Sequence, residues 1–155
     1  MMLSEGDKAP SFSLQADDGS EVSIDDLLQN GPLILYFYPA DFTAVCTAEA
    51  CSIRDMHADI SDSGFNIVGV SPQSVDSHRR FKTRHDLPFR LLYDKGKRVI
   101  RAFGVDGPMG FGVRRATFLI GEDRTILGRV VSDLFVGNHT DFIRQAIAGA
   151  PRSAD

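Results

Sequence analysis

The sequence predicts an α/β protein with a mixed central sheet, and three observations carry that expectation. Leu33-Ile34-Leu35-Tyr36-Phe37-Tyr38 is an unbroken apolar run of strand length, as expected for a strand covered on both faces. Strand-like and helix-like segments then alternate. Finally, a hairpin pattern, Ala116–Ile120 with Thr125–Val131 about Gly121-Glu122-Asp123-Arg124, precedes the last helical segment. Together these give a sheet flanked by helices, with parallel and antiparallel pairs in one layer.

The elements follow in order. Phe12 and Leu14 alternate with polar residues, Asp17-Asp18-Gly19 turns, and Val22 follows, which reads as an N-terminal hairpin. Ser23 can cap a short helix through Leu28, with Asp25 and Asp26 in its first turn. Pro39 ends the strand that starts at Leu33. Cys46, Ala50, Ile53, Met56 and Ile60 recur at helical spacing and predict one helix closed by Ser63-Gly64. Asn66–Ser71 is a second strand, and Ser74 can cap a helix over Val75–His85, stopped before Pro88. Leu91–Tyr93 is a short strand, and Asp94-Lys95-Gly96 turns into a helix ending near Phe103-Gly104. Asn138 is the expected cap of a last helix over about Thr140–Ala148.

Composition narrows the function classes. The 155 residues, 43% hydrophobic and 25% charged, fit one globular domain spanning 1–155, with a tail expected to fray from about 149. A net charge of -4 with scattered Lys and Arg argues against a nucleic-acid partner. No run approaches the ~18 apolar residues of a membrane span. The start, Met1-Met2-Leu3-Ser4-Glu5-Gly6-Asp7-Lys8, lacks the charged and apolar regions of a secretory leader, so a cytoplasmic location is expected.

Two cysteines in 155 residues do not make a disulfide scaffold. The pair Cys46 and Cys51 points instead to redox or metal chemistry, and metal is the weaker option because His57, His78, His85 and His139 show no ligand spacing near them. No cofactor is expected, and the histidines are read as ordinary surface or helix positions. Cys46 falls in the first turn of a helix that follows the carboxyl end of a central strand, the usual place for chemistry in such sheets. Free N–H groups and the helix dipole there favour a thiolate. A thiolate attacks peroxide oxygen, and the resulting sulfenic acid condenses with a nearby thiol. Cys51 is the one candidate for that thiol. On an intact helix the two Cα atoms would stand about 8–9 Å apart, whereas a disulfide needs about 4.4–6.8 Å. The first turns are therefore expected to unwind on oxidation. Two small buried core cysteines would be the structural alternative.

The segment Pro39-Ala40-Asp41-Phe42-Thr43-Ala44-Val45-Cys46 fits Pro-x-x-x-Thr-x-x-Cys and resembles the peroxiredoxin active-site loop. The likeness continues through Thr47-Ala48-Glu49-Ala50-Cys51, Arg54-Asp55, Gly69-Val70-Ser71-Pro72-Gln73-Ser74-Val75, His78 and Arg115-Ala116-Thr117-Phe118-Leu119-Ile120. A second cysteine five positions on is similar to the PrxQ, or bacterioferritin-comigratory-protein, branch. The resemblance implies a thioredoxin-like fold and a thiol peroxidase acting on hydrogen peroxide and organic hydroperoxides. It implies Cys46 as the peroxidatic nucleophile, Cys51 as the resolving thiol, and thioredoxin or a similar dithiol protein as reductant. It further implies that Thr43 places its hydroxyl against peroxide and sulfur, that Pro39 shields the sulfur, that Arg115 holds the thiolate and peroxide, and that Glu49 fixes the arginine. A monomer is expected, since an intramolecular disulfide needs no second chain.

The chain departs from the family at Ala44-Val45, where Pro-Gly is usual, so the helix lacks a proline pre-set for its first turn. Asp41 is expected to face solvent. Arg114, adjacent to Arg115 on a strand, is expected to point to the opposite face. Other readings are a disulfide reductase, which would normally carry Cys-x-x-Cys, and a glutathione-peroxidase type, whose Trp partner is absent from this chain. A redox-sensing or binding module oxidised once, stoichiometrically, belongs to a different class.

Overall fold

The computed structural model describes residues 1–149, so nearly all of the tail expected from about 149 lies outside the described residues. A seven-stranded mixed sheet runs in the order β2-β1-β5-β4-β3-β6-β7. Its strands are β1 (Ser13–Ala16), β2 (Glu21–Ser23), β3 (Leu33–Phe37), β4 (Asn66–Ser71), β5 (Arg90–Tyr93), β6 (Ala116–Ile120) and β7 (Ile126–Val131). β3 pairs parallel to β4 and antiparallel to β6, with Phe37 opposite Ala116. The N-terminal hairpin is β1 with β2, and β1 also pairs antiparallel to β5.

Because side chains alternate along a strand, β3 feeds two cores. Leu33, Leu35 and Phe37 join Val68, Val70, Phe118 and the short helices α1 (Ile24–Leu27) and α5 (Arg98–Ala102) on one face. Ile34, Tyr36 and Tyr38 join the opposite face. That face is covered by α2 (Ala44–Asp55), α3 (His57–Asp62), α4 (Val75–His85) and α6 (Val136–Ala148). All five residues of β3 are buried, which explains why its sequence shows no alternation.

Two element expectations need correction. The apolar stripe from Cys46 to Ile60 is carried by two helices, because Met56 leaves helical geometry (φ -106, ψ 8) and separates α2 from α3. The stripe survives the break, since Cys46, Ala50, Ile53, Met56 and Ile60 all enter one core. Asn138 does not cap the last helix. That helix starts at Val136 after Phe135, and the Asn138 side chain donates to Ser132 Oγ at 3.0 Å.

Candidate active site

The register of the sheet assembles the site. Ala116 lies opposite Phe37, so Arg115, one residue before β6, meets the segment that leaves β3. Alternation sends Arg115 to the face that α2 covers and Arg114 to the other side. Arg115 is accordingly buried, while the half-exposed Arg114 pairs with Asp133 at 3.0 Å.

Cys46 sits in the first turn of α2, 2% exposed. Arg115 Nη2 donates to Cys46 Sγ at 3.2 Å, and Arg115 Nη1 donates to Glu49 Oε1 at 2.7 Å. Glu49 is three residues after Cys46, so the two share a helix face. The remaining guanidinium nitrogen, Arg115 Nε, donates to the Asp133 carbonyl at 3.1 Å. The guanidinium is thus fixed on three sides and directs one edge at the sulfur. Burial opposes its charge, but the Glu49 carboxylate and the sulfur outweigh that and raise its pKa further, so it stays cationic.

Glu49 is fully buried, and burial pushes its carboxyl up to about 7 against the opposing pull of Arg115. Its second oxygen, Oε2, has no hydrogen-bond partner among the described residues. His139 Nδ1 lies 3.8 Å from this oxygen. His139 Nε2 contacts the Ser132 carbonyl at 2.7 Å, which requires a proton on Nε2. Nδ1 then accepts from the Thr117 hydroxyl at 2.8 Å, and burial lowers the pKa of the ring, so the neutral imidazole has no proton for Glu49.

Thr43 occupies the N-cap position of α2 with extended backbone (φ -80, ψ 154), but its side chain makes no capping bond. Its hydroxyl donates to the Ala40 carbonyl at 3.0 Å instead. Pro39, half-buried, directly follows the buried Tyr38. Cys51 is half-buried on α2, and both cysteines are free. The helix is continuous across them, the geometry from which direct bonding was not expected. Beside the first turn, an open cleft of about 540 Å³ is lined by Ala44, Val45, Ala48, Leu134, Phe135 and Asn138. Cys46 does not line this cleft.

The structure corrects three expectations about single residues. Asp41 does not face solvent. It is 6% exposed, accepts from Tyr38 Oη and Ser77 Oγ, and meets His78 Nδ1, each at 2.7 Å. His78 and His139 are helix positions, on α4 and α6, but not surface ones, since both are fully buried. No local signal marks either histidine, because their side-chain partners Asp41 and Thr117 lie 37 and 22 residues away in sequence.

The chain is similar in sequence and in fold to known proteins of one family. The model of the AhpC/TSA family matches residues 5–129. The chain is 36% identical to peroxiredoxin Bcp of Bacillus subtilis over 95% of this chain and 94% of that protein. Peroxidoxin BcpB from Mycobacterium tuberculosis superposes with a TM-score of 0.90 at 31% identity, covering 97% of this chain and 99% of that one. Peroxiredoxin Q of Xanthomonas campestris superposes at 0.82 with 28% identity, covering 90% and 92%. The thioredoxin-like fold expected from the sequence is the fold of this chain.

Proposed function

The chain belongs to the AhpC/TSA family, in the branch of the Bcp and PrxQ peroxiredoxins, and from that premise we propose a two-cysteine peroxidase cycle centred on Cys46. The observation that carries it is the fixed guanidinium of Arg115, 3.2 Å from a buried sulfur that begins a helix.

The Cys46 thiolate attacks the distal oxygen of a hydroperoxide. The O–O bond breaks, the sulfur becomes a sulfenic acid, and the leaving alkoxide or hydroxide takes a proton to give an alcohol or water. Arg115 faces both the sulfur and the oxygen on which negative charge grows, the position in which a donor accelerates reaction most. Glu49 holds the arginine to that task. Pro39 and Thr43 bound the approach to the sulfur, and a small turn of the Thr43 hydroxyl from Ala40 lets it meet the peroxide.

The Cys51 thiol then attacks the sulfenic sulfur, forming a Cys46–Cys51 disulfide and releasing water. This step needs the start of α2 to unwind. The first turn is suited to that: it has no side-chain cap and no acidic residue, and Thr43, Ala44 and Ala48 are exposed. Thioredoxin or a similar dithiol protein returns both cysteines to thiols by disulfide exchange. In this reading the protein works as a cytoplasmic monomer on hydrogen peroxide and organic hydroperoxides. Among the described residues no helix is long and apolar enough to cross a membrane.

The test follows NADPH oxidation with thioredoxin, thioredoxin reductase and either hydrogen peroxide or tert-butyl hydroperoxide. Wild type is expected to turn over steadily, Cys46→Ser not at all, and Cys51→Ser at a small fraction of the wild-type rate. A single stoichiometric oxidation of Cys46 without turnover would replace the peroxidase reading with that of a redox sensor.

A further inference from the structure

Asp41 lies in the loop between β3 and α2, five residues before Cys46, and touches neither the sulfur nor Arg115 within hydrogen-bond distance. It is nevertheless the most heavily bonded side chain of that loop. Tyr38 Oη and Ser77 Oγ donate to its carboxylate and His78 Nδ1 lies against it, each at 2.7 Å. His78 Nε2 in turn reaches the Leu92 carbonyl at 3.0 Å. Both ring nitrogens thus face oxygens, and His78 and Asp41 are fully enclosed. One loop residue is fastened by this means to the end of β3, to α4 and to β5.

Beyond Asp41 the chain changes character. Phe42 holds φ 66, a left-handed conformation uncommon for an aromatic residue, and is 49% exposed. Its ring rests against Phe81 with centroids 5.2 Å apart. The uncapped first turn of α2 follows, with Thr43 and Ala44 exposed. Farther along, Arg54 ties α2 back to α4 through the His85 carbonyl at 2.8 Å. The stretch that must unwind therefore runs between two fixed points.

We propose that Asp41, clamped by His78, Tyr38 and Ser77, is a positioning residue for the reaction of Cys46 with peroxide, and that it makes Phe42 the hinge about which α2 opens. This rests on the peroxidase reading above. With the clamp closed, Pro39 and the start of α2 stay registered over the sulfur while peroxide reacts. The clamp is not released when the helix unwinds, because the hinge lies on its far side. Weakening it therefore harms the first chemical step and spares the second.

The experiment is rapid-mixing kinetics on the full chain, resolving sulfenic acid formation from the later disulfide step. Asp41→Asn is expected to slow Cys46 oxidation tenfold or more while the disulfide step stays within twofold of wild type or quickens. Ser77→Ala removes one of three polar partners and is expected to slow oxidation about threefold. His78→Gln, which keeps a donor, is expected to recover part of the rate that His78→Leu loses. Circular dichroism reports the folded fraction of each variant. Equal slowing of both steps, or wild-type oxidation in Asp41→Asn, overturns the inference while leaving the peroxidase reading intact. A wild type that does not turn over peroxide overturns the reading beneath it.

Discussion

Two buried acids flank Cys46, and the fold treats them in opposite ways. Asp41 is closed off, with three polar partners at 2.7 Å and a histidine that finds its own second partner. Glu49 is left open: one oxygen holds Arg115, and the other meets no hydrogen bond. A fully satisfied buried network fixes geometry, because any rearrangement strands a polar group. A half-satisfied one keeps its charge sensitive to the proton. The closed network sits where the loop is anchored. The open one sits beneath the reacting sulfur, and burial accordingly leaves Glu49 near a pKa of about 7.

Removing a charge from the open network should have the largest effect. Arg115→Met leaves Glu49 buried without its cation, and breaking a buried pair in that way costs about 3–5 kcal/mol. Denaturant unfolding at neutral pH measures this loss. The same change removes the donor facing the sulfur, and kcat/KM for peroxide is expected to fall about 10²–10³-fold. Arg115→Lys should restore stability better than activity, since a point charge can neutralise Glu49 but cannot also reach Cys46 with a second edge.

The proton on Glu49 gives the next effect. Its folded pKa, about 7, lies above the ordinary 4.5, so between these values the native state holds a proton that the unfolded chain has lost. Stability from this group is therefore present below about pH 4.5 and is lost as pH rises through 7. The gap corresponds to on the order of 3 kcal/mol. Glu49→Gln lacks this titration. Urea unfolding of wild type and Glu49→Gln across that range is expected to show wild type losing stability relative to the variant as pH rises. A constant difference would place Glu49 with Asp41, as a closed group.

These networks also mark how far the sequence could be read. The strands and the two hairpins were legible, because burial on both faces of β3 and turn chemistry around Asp17-Asp18-Gly19 and Gly121-Glu122-Asp123-Arg124 are local signals. Arg115 was separable from Arg114 by the alternation of a strand. Asp41 was not, because a carboxylate in a loop is exposed by default, and only the fold supplies Ser77 and His78 from α4. His139 was hidden for the same reason, since its partners Thr117 and Ser132 come from the β6–β7 hairpin region. Asn138 misled as a cap because α6 starts two residues earlier on Val136, with no side-chain cap.

The adjacent arginine supplies the smallest expected effect. Arg114 meets Asp133 through Nε at 3.0 and 3.2 Å, with both side chains well exposed. An ion pair in that setting is worth about 0–1 kcal/mol, because water screens it and two long side chains lose freedom to form it. Arg114→Ala is therefore expected to shift stability by less than about 1 kcal/mol. Asp133 also contributes to the buried arginine, but through groups the substitution leaves in place: its carbonyl accepts from Arg115 Nε, and its carboxylate accepts from the Arg115 backbone N–H. Peroxidase rates should thus remain within twofold of wild type. A larger loss would mean that the Asp133 corner depends on Arg114 to hold Arg115, extending the open network to the surface.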